Sequence, residues 1–307
     1  MAFEQRASMS CYLRSEGKPQ LRESVVCYTD ILGFENRVRA AYVNDAESEL
    51  LVSLDNALRE SRDSLDSISH VWGSDLDSPQ TFSIKLFSDN LVLGYPFGRL
   101  TRPVLLSVID HISVVQCIMA AHGFILRGGL AAGSHFMDQN LVYGHAYIEA
   151  ARLDKKHGPP CICLAQSAKD VMPQWLTPAN KDSWLDAPFN VGEGPQEWYM
   201  LLKDDDERLF INYLDVAFEA FENGCPVSNQ LERHRDQVNK GIESGEAREK
   251  YEWAAKYHNF VCSEFSENRV YRAVNHENQH LARRERKRVG ELQIPGIEAH
   301  HTFKRLW

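Results

Sequence analysis

The sequence predicts a mixed α/β domain followed by a helical extension, and three stretches carry that expectation. Val25 to Thr29 is an apolar strand pattern that ends at Asp30 and passes through Gly33 into a helical pattern. Phe82–Phe87 and Leu91–Tyr95 are β-type runs on either side of Ser88-Asp89-Asn90, whose residues tolerate tight-turn geometry and so predict a hairpin. Beyond about residue 203 strand signals give way to amphipathic helical faces.

Composition sets the outer bounds. The chain has 307 residues, 43% of them hydrophobic and 25% charged, as in ordinary globular proteins with a substantial core. A membrane span is not expected, because charged and polar residues interrupt every long apolar run. Met1 to Gln20 carries charges and no apolar core, which argues against a secretory signal. The seven cysteines are scattered, with Cys161 and Cys163 the closest spacing, so neither a disulfide framework nor a zinc site is indicated and a reducing cytoplasm fits. A net charge of −9 disfavours a broad nucleic-acid surface. The dense basic run Arg283–Arg288 has no interleaved aromatic residues and reads as a solvated helix face or tail.

Taken in order, residues 1–23 form an N-terminal segment and residues 24–203 the α/β domain. Helices are expected over Phe34–Val43 and Ala46–Leu65, the second with Leu50, Leu51, Leu54, Leu58 and Leu65 on its buried face. His70–Gln80 reads as loop, Val104–Ala121 as an apolar helix stopped by Gly123, and Phe124–Gly133 as a strand. A polar loop, Ser134–Asn140, leads to Leu141–Gly144 and a helix over His145–Lys156. Cys161–Leu164 is a buried strand, Pro173–Gly194 an irregular excursion, and Glu197–Leu202 a closing strand. Residues 204–288 are read as helical, with Leu209, Phe210, Tyr213, Leu214 and Phe221 on one face, and 289–307 as a mobile or partner-docked tail.

The residues with chemistry are few. A carboxylate at a strand end, Asp30, and another at a hairpin tip, Asp89, can hold divalent cations against a triphosphate, because Mg²⁺ favours a few carboxylates plus phosphate oxygens. Two such carboxylates repel each other, so removing either is expected to cost little stability. Arg127 lies in a strand beside Gly128 and Gly129. The glycines either admit a phosphate or fit a crowded sheet with Arg127 in a salt bridge at an edge.

Asp30-Ile31-Leu32-Gly33-Phe34, the Lys85-x-x-x-Asp89 hairpin, Leu126-Arg127-Gly128-Gly129 with Gly133, and Gly144 followed by Arg152-Leu153-Asp154 resemble, in order and spacing, the class III nucleotidyl cyclases. The resemblance covers roughly Val25 to Leu202, and the helical extension looks like that of the pyrimidine nucleotide cyclases of bacterial anti-phage (Pycsar) signalling. It implies a ferredoxin-like βαββαβ palm acting as a head-to-tail homodimer with composite sites. It implies a nucleoside triphosphate substrate, two divalent cations (Mn²⁺ or Mg²⁺), and a downstream effector that binds the cyclic product. By the same resemblance Asp30, Asp89 and the Ile31 carbonyl are metal ligands. Lys85 and Leu141 stand at base-reading positions, Phe34 and Arg127 contact the substrate, and Arg152 stabilises charge at the transferring phosphorus.

Some positions depart from that pattern. Ile148 stands where purine cyclases carry a ribose-orienting Asn, Leu141 offers no hydrogen-bonding side chain, and Ser88 replaces the usual Gly before Asp89. Lysine supplies a donor suited to uracil's two carbonyl acceptors, which favours UTP, then CTP, over a purine. A purine cyclase, a non-catalytic cyclase-like sensor and another palm-type nucleotidyl enzyme are the competing readings. The last lacks support because the hairpin has no Gly-Gly-Asp/Glu-Glu-Phe turn.

Overall fold

A computed structural model describes residues 11–14, 17–72, 82–98, 100, 102–155, 158–171, 200–216, 227–267, 279–298 and 303–304. The expectations for 73–81, 173–194 and 197–199 lie outside the described residues.

The apolar strand read in Val25–Asp30 sets the architecture, because successive side chains of a strand serve opposite faces. In β1 (Arg22–Ile31), Val25, Cys27 and Ile31 enter the main core, while Val26 enters a second cluster on the other face with Tyr28 packed against it. The chain continues through α1 (Phe34–Val43) and α2 (Glu47–Trp72) to the hairpin β2 (Ser83–Phe87) and β3 (Asn90–Pro96). It then runs through α3 (Arg102–Ala121) into β4 (Leu126–Met137). These four strands are all antiparallel neighbours in the order β2-β3-β1-β4. Read from the other edge this is 4-1-3-2, the order of a ferredoxin-like βαββαβ unit, so the expected palm topology is present.

Among the described residues the helix α3 is long and apolar enough over Val104–Ala121 to cross a membrane by length and composition, although Asp110 and His111 interrupt its apolar run. Here Leu105, Val108, Ile109, Ile112, Val115 and Met119 lie in the main core against the sheet. Of the leucines expected on one face of α2, Leu54 and Leu65 are buried and Leu50 and Leu58 pack against the core, but Leu51 is 66% exposed. At 100° per residue it falls just outside the apolar stripe.

Past β4 come β5 (Val142–Gly144), α4 (His145–Lys155), β6 (Ile162–Leu164) and α5 (Gln166–Asp170). The expected loop 134–140 is shorter, because β4 runs on to Met137 and pairs with β5. The strand β6 lies parallel to β4 and the sheet then adds β8 (Leu209–Ile211), β7 (Leu201–Asp204) and β9 (Phe303–Lys304).

Two expectations for the C-terminal third need correction. Leu209 and Phe210 form a strand rather than a helix, since Leu209–Ile211 pairs antiparallel with Leu201–Lys203; Tyr213–Asp215 turns helically as a 3₁₀ segment, and Phe221 lies outside the described residues. The tail is docked on its own chain: Leu292 and Ile294 are buried and Phe303 pairs with Asp204. Between them lie α6 (Val227–Ser244), α7 (Arg248–Glu267) and α8 (Gln279–Gly290). Leu231, Tyr257 and Val289 share one core with Ile109 and Phe210. The basic run falls in α8, where Lys287 and Arg288 face solvent beside Glu291 and Glu232 while Glu285 turns inward to accept the Ser228 N–H at 2.6 Å.

Candidate active site

Strand register builds the site. Directly paired residues in a sheet point to the same face, and Asp30 is paired with Asn90 on one side and Arg127 on the other. The Ile31 N–H donates to the Asp89 carbonyl at 3.2 Å, which seats the hairpin tip against the end of β1. Asp30, Ile31 and Arg127 therefore stand at the end of β1 and the start of β4, beside the hairpin tip that carries Asp89.

The hairpin turn explains how Asp89 is presented. Ser88 takes φ +58°, a conformation that favours glycine, and it stands where the resemblance expects Gly. On the other side Gly33 adopts φ +69° and starts α1, so the chain leaves the sheet immediately after Ile31. Arg37 fixes that helix by donating to the Gly123 carbonyl at 2.5 Å, with its guanidinium over the Phe124 ring.

Arg127 is bound to Asp30, with Nη2 at 2.6 Å and Nε at 3.1 Å from the same carboxylate oxygen. The two side chains keep only 20% and 13% exposure. The neighbouring glycines serve packing. A Cβ on Gly128 would collide with the Tyr28 carbonyl, and one on Gly129 would lie 2.5 Å from the Ala150 carbonyl of α4. The sheet is crowded here and Arg127 is in a salt bridge, as one reading expected, but in an interior strand rather than at an edge. Asp30 has a cation beside it, so the expectation that it sits repelled and cheaply removed does not hold.

Asn90 and Tyr28 escaped the sequence reading. The Tyr28 hydroxyl donates to Asn90 Oδ1, and Asn90 Nδ2 donates to Asp89 Oδ1 at 3.0 Å. The period-2 alternation that puts Tyr28 and Asp30 on one face, and the adjacency of Asn90 to Asp89, were the available signals.

Lys85 shares this face, paired with Val92 in the row that contains Tyr28 and Gly129. That row lies two residues, about 7 Å, along the strands from the Asp30 row. Arg152 is exposed on α4 and makes no hydrogen bond or ion pair to either carboxylate. It lies four residues after the exposed Ile148, so both occupy the outward face of the helix. Leu141 is 50% exposed in a groove with Arg14, Gln20, Leu21, Phe136 and Tyr143, at the far end of β4 from Arg127. Phe34 opens α1 and packs against the main core. One chain thus puts Asp30, Ile31 and Arg127 beside the Asp89 tip and leaves Leu141 and Arg152 exposed elsewhere.

The donor set is all oxygen. Two carboxylates and a backbone carbonyl are what a hard divalent cation takes when phosphate oxygens complete its shell. Among the described residues no group of three or more His, Cys, Asp and Glu side chains gathers to form a self-sufficient metal cage.

No protein-family model matches the sequence, and no curated protein matches it. Solved structures do match in chain path. The monomeric guanylyl cyclase domain of the RhoGC fusion protein from the aquatic fungus Blastocladiella emersonii has a TM-score of 0.41 at 11% identity, over 62% of this chain and 94% of that one. The non-canonical dimeric form of that domain, from the same fungus, has 0.37 at 14% identity over 50% and 84%. The catalytic core of a rhodopsin-guanylyl cyclase with converted specificity, in complex with ATPalphaS, has 0.38 at 13% over 62% and 94%. At these values the likeness is one of coarse chain path, and the fold of this protein rests on its own 4-1-3-2 strand order.

Proposed function

We propose that this protein is a nucleotide cyclase that converts a pyrimidine nucleoside triphosphate, UTP ahead of CTP, to a 3′,5′-cyclic nucleotide and pyrophosphate, as a homodimer. The observation that supports the reading is the bond from the Ile31 N–H to the Asp89 carbonyl, which seats the hairpin tip beside the end of β1, where Asp30 stands, in a 4-1-3-2 sheet. Asp30, Asp89 and the Ile31 carbonyl hold the cations. When bound, those cations lower the pKa of the attacking ribose hydroxyl and offset charge on the leaving pyrophosphate.

Arg127 neutralises Asp30 in the resting site and turns to the polyphosphate when substrate arrives, since its planar fork suits both partners. The partner copy supplies Arg152, whose permanent charge meets the developing charge at phosphorus, and Lys85, which donates to a base carbonyl. Ile148, 48% exposed, shares the outward face of α4 with Arg152, and Leu141 and Tyr143 are 50% and 60% exposed before that helix, which supports a partner seated on this part of the chain. With Leu141 offering only apolar contact, an unpaired cytosine amine costs about 1–3 kcal/mol, which favours uracil. The product is a diffusible messenger for a cyclic-nucleotide-binding effector, in keeping with an anti-phage role.

The test is incubation with each of the four nucleoside triphosphates and Mn²⁺, with products identified by mass spectrometry. Cyclic UMP as the main product is expected, and Lys85→Ala should erode that base preference. Faster cyclisation of ATP or GTP overturns the pyrimidine assignment, and absence of any cyclic product overturns the cyclase. Mixing inactive Asp89→Ala and Arg152→Ala chains should restore activity through heterodimers with one intact composite site. Failure to do so while subunits demonstrably exchange means the site is built within one chain.

A further inference from the structure

The geometry points to Asn90 and Tyr28 as positioning residues that hold the Asp89 carboxylate in its cation-binding orientation. This rests on the reading of Asp89 as a metal ligand. Asp89 sits at a two-residue turn, the least constrained part of a hairpin, and a carboxylate there has free rotation unless something fixes it. Asn90 Nδ2 donates to its Oδ1 at 3.0 Å.

The orientation of that amide follows from chemistry. An ionised carboxylate only accepts, so the nitrogen must face Asp89 and the oxygen is left to accept from Tyr28. Tyr28 is itself held, its ring packed edge-on against Tyr147 of α4 at 5.9 Å between centroids. Asn90 is anchored by its pairing with Asp30 in the ladder. The relay thus runs from a packed helix, through a tyrosine and an amide, to the carboxylate at the tip. It leaves Asp89 Oδ2 to face the cation while Oδ1 is engaged. Asp30 is oriented independently by Arg127, so the two carboxylates have separate supports.

The experiment measures Mn²⁺ binding to the full chain without nucleotide, by the electron paramagnetic resonance signal of free Mn²⁺. The variants are Asp89→Ala, Asn90→Ala, Tyr28→Phe and the pair Asn90→Ala with Tyr28→Phe. Loss of the outer support is expected to weaken binding about 10-fold in Asn90→Ala. Tyr28→Phe keeps the ring packing and should weaken it by a smaller factor. The double variant should bind no more weakly than Asn90→Ala alone, because Tyr28 acts only through Asn90.

In turnover assays the Mn²⁺ concentration for half-maximal rate should rise with KM for the triphosphate unchanged, a split that general loosening of the hairpin does not produce. If Asp89→Ala weakens Mn²⁺ binding while Asn90→Ala and Tyr28→Phe bind as the parent does, the relay is wrong and the cation site stands. If Asp89→Ala leaves binding unchanged, the cation site falls and the relay with it. Equal losses from Tyr28→Phe with and without Asn90 also overturn the relay. Should Asn90→Ala fail to fold, Tyr28→Phe, which removes one oxygen, decides the matter alone.

Discussion

Replacing Arg127 by Met tests the strongest electrostatic feature of the site. The guanidinium puts two nitrogens on one oxygen of Asp30, at 2.6 and 3.1 Å, with the side chains 20% and 13% exposed. Removing one partner of a fully buried pair costs about 3–5 kcal/mol, whereas a fully exposed pair is worth about 1 kcal/mol or less. Partial exposure sets Arg127→Met between these limits, at roughly 2 kcal/mol. Methionine keeps most of the aliphatic contact, so the loss reports the broken ion pair rather than a cavity. Urea unfolding of Arg127→Met, Asp30→Asn and the double variant gives the coupling, which should be about 1–2 kcal/mol, with the double variant more stable than the single losses added together. Stability of Arg127→Met within about 0.5 kcal/mol of the parent, or strictly additive losses, would refute the claim that Arg127 neutralises Asp30.

Two further outcomes concern stability. Ser88 at φ +58° pays a left-handed cost of about 1–2 kcal/mol that glycine avoids, less about 0.5–1 kcal/mol for glycine's looser unfolded chain, so Ser88→Gly should stabilise by roughly 0.5–1 kcal/mol. A fall in the urea midpoint would instead assign the serine side chain a supporting contact. The second outcome is acid sensitivity. Burial pushes His258 down to about 4 and His234 well below its usual value, the latter also by His258 beside it. The pair is fully bonded as neutral rings: His258 Nε2 donates to the Leu292 carbonyl, His234 Nδ1 donates to His258 Nδ1 at 3.1 Å, and Tyr213 donates to His234 Nε2 at 2.7 Å. Cys262 and Tyr257 also face these rings, and the Arg235 and Asp236 charges oppose each other at His258. A depressed histidine pKa means the unfolded chain binds more protons between the two values. Stability is therefore full above about pH 6.5 and falls as pH drops towards 4, by about 3 kcal/mol for His258 alone. A urea midpoint unchanged between pH 7 and 5 would contradict that environment.

What the sequence determined by itself was local. The apolar, β-branched run in Val25–Asp30 made a strand with its carboxylate at the end, Ser88-Asp89-Asn90 made a hairpin tip, and the period in Glu47–Leu65 made a helix. Each is a consequence of side-chain direction over a few residues, which periodicity reports. Tertiary structure decided everything that depends on register between distant segments. Arg127 meets Asp30 because β4 pairs with β1 across 97 residues of sequence, and a one-residue slip would have put the guanidinium on the opposite face. Leu209–Ile211 is too short for periodicity to separate a buried strand from a helical turn, and its pairing with β6 and β7 settled it. The tail docks for the same reason. Phe303 finds a partner in Asp204 across a sheet edge that nothing in its own neighbourhood of the sequence encodes.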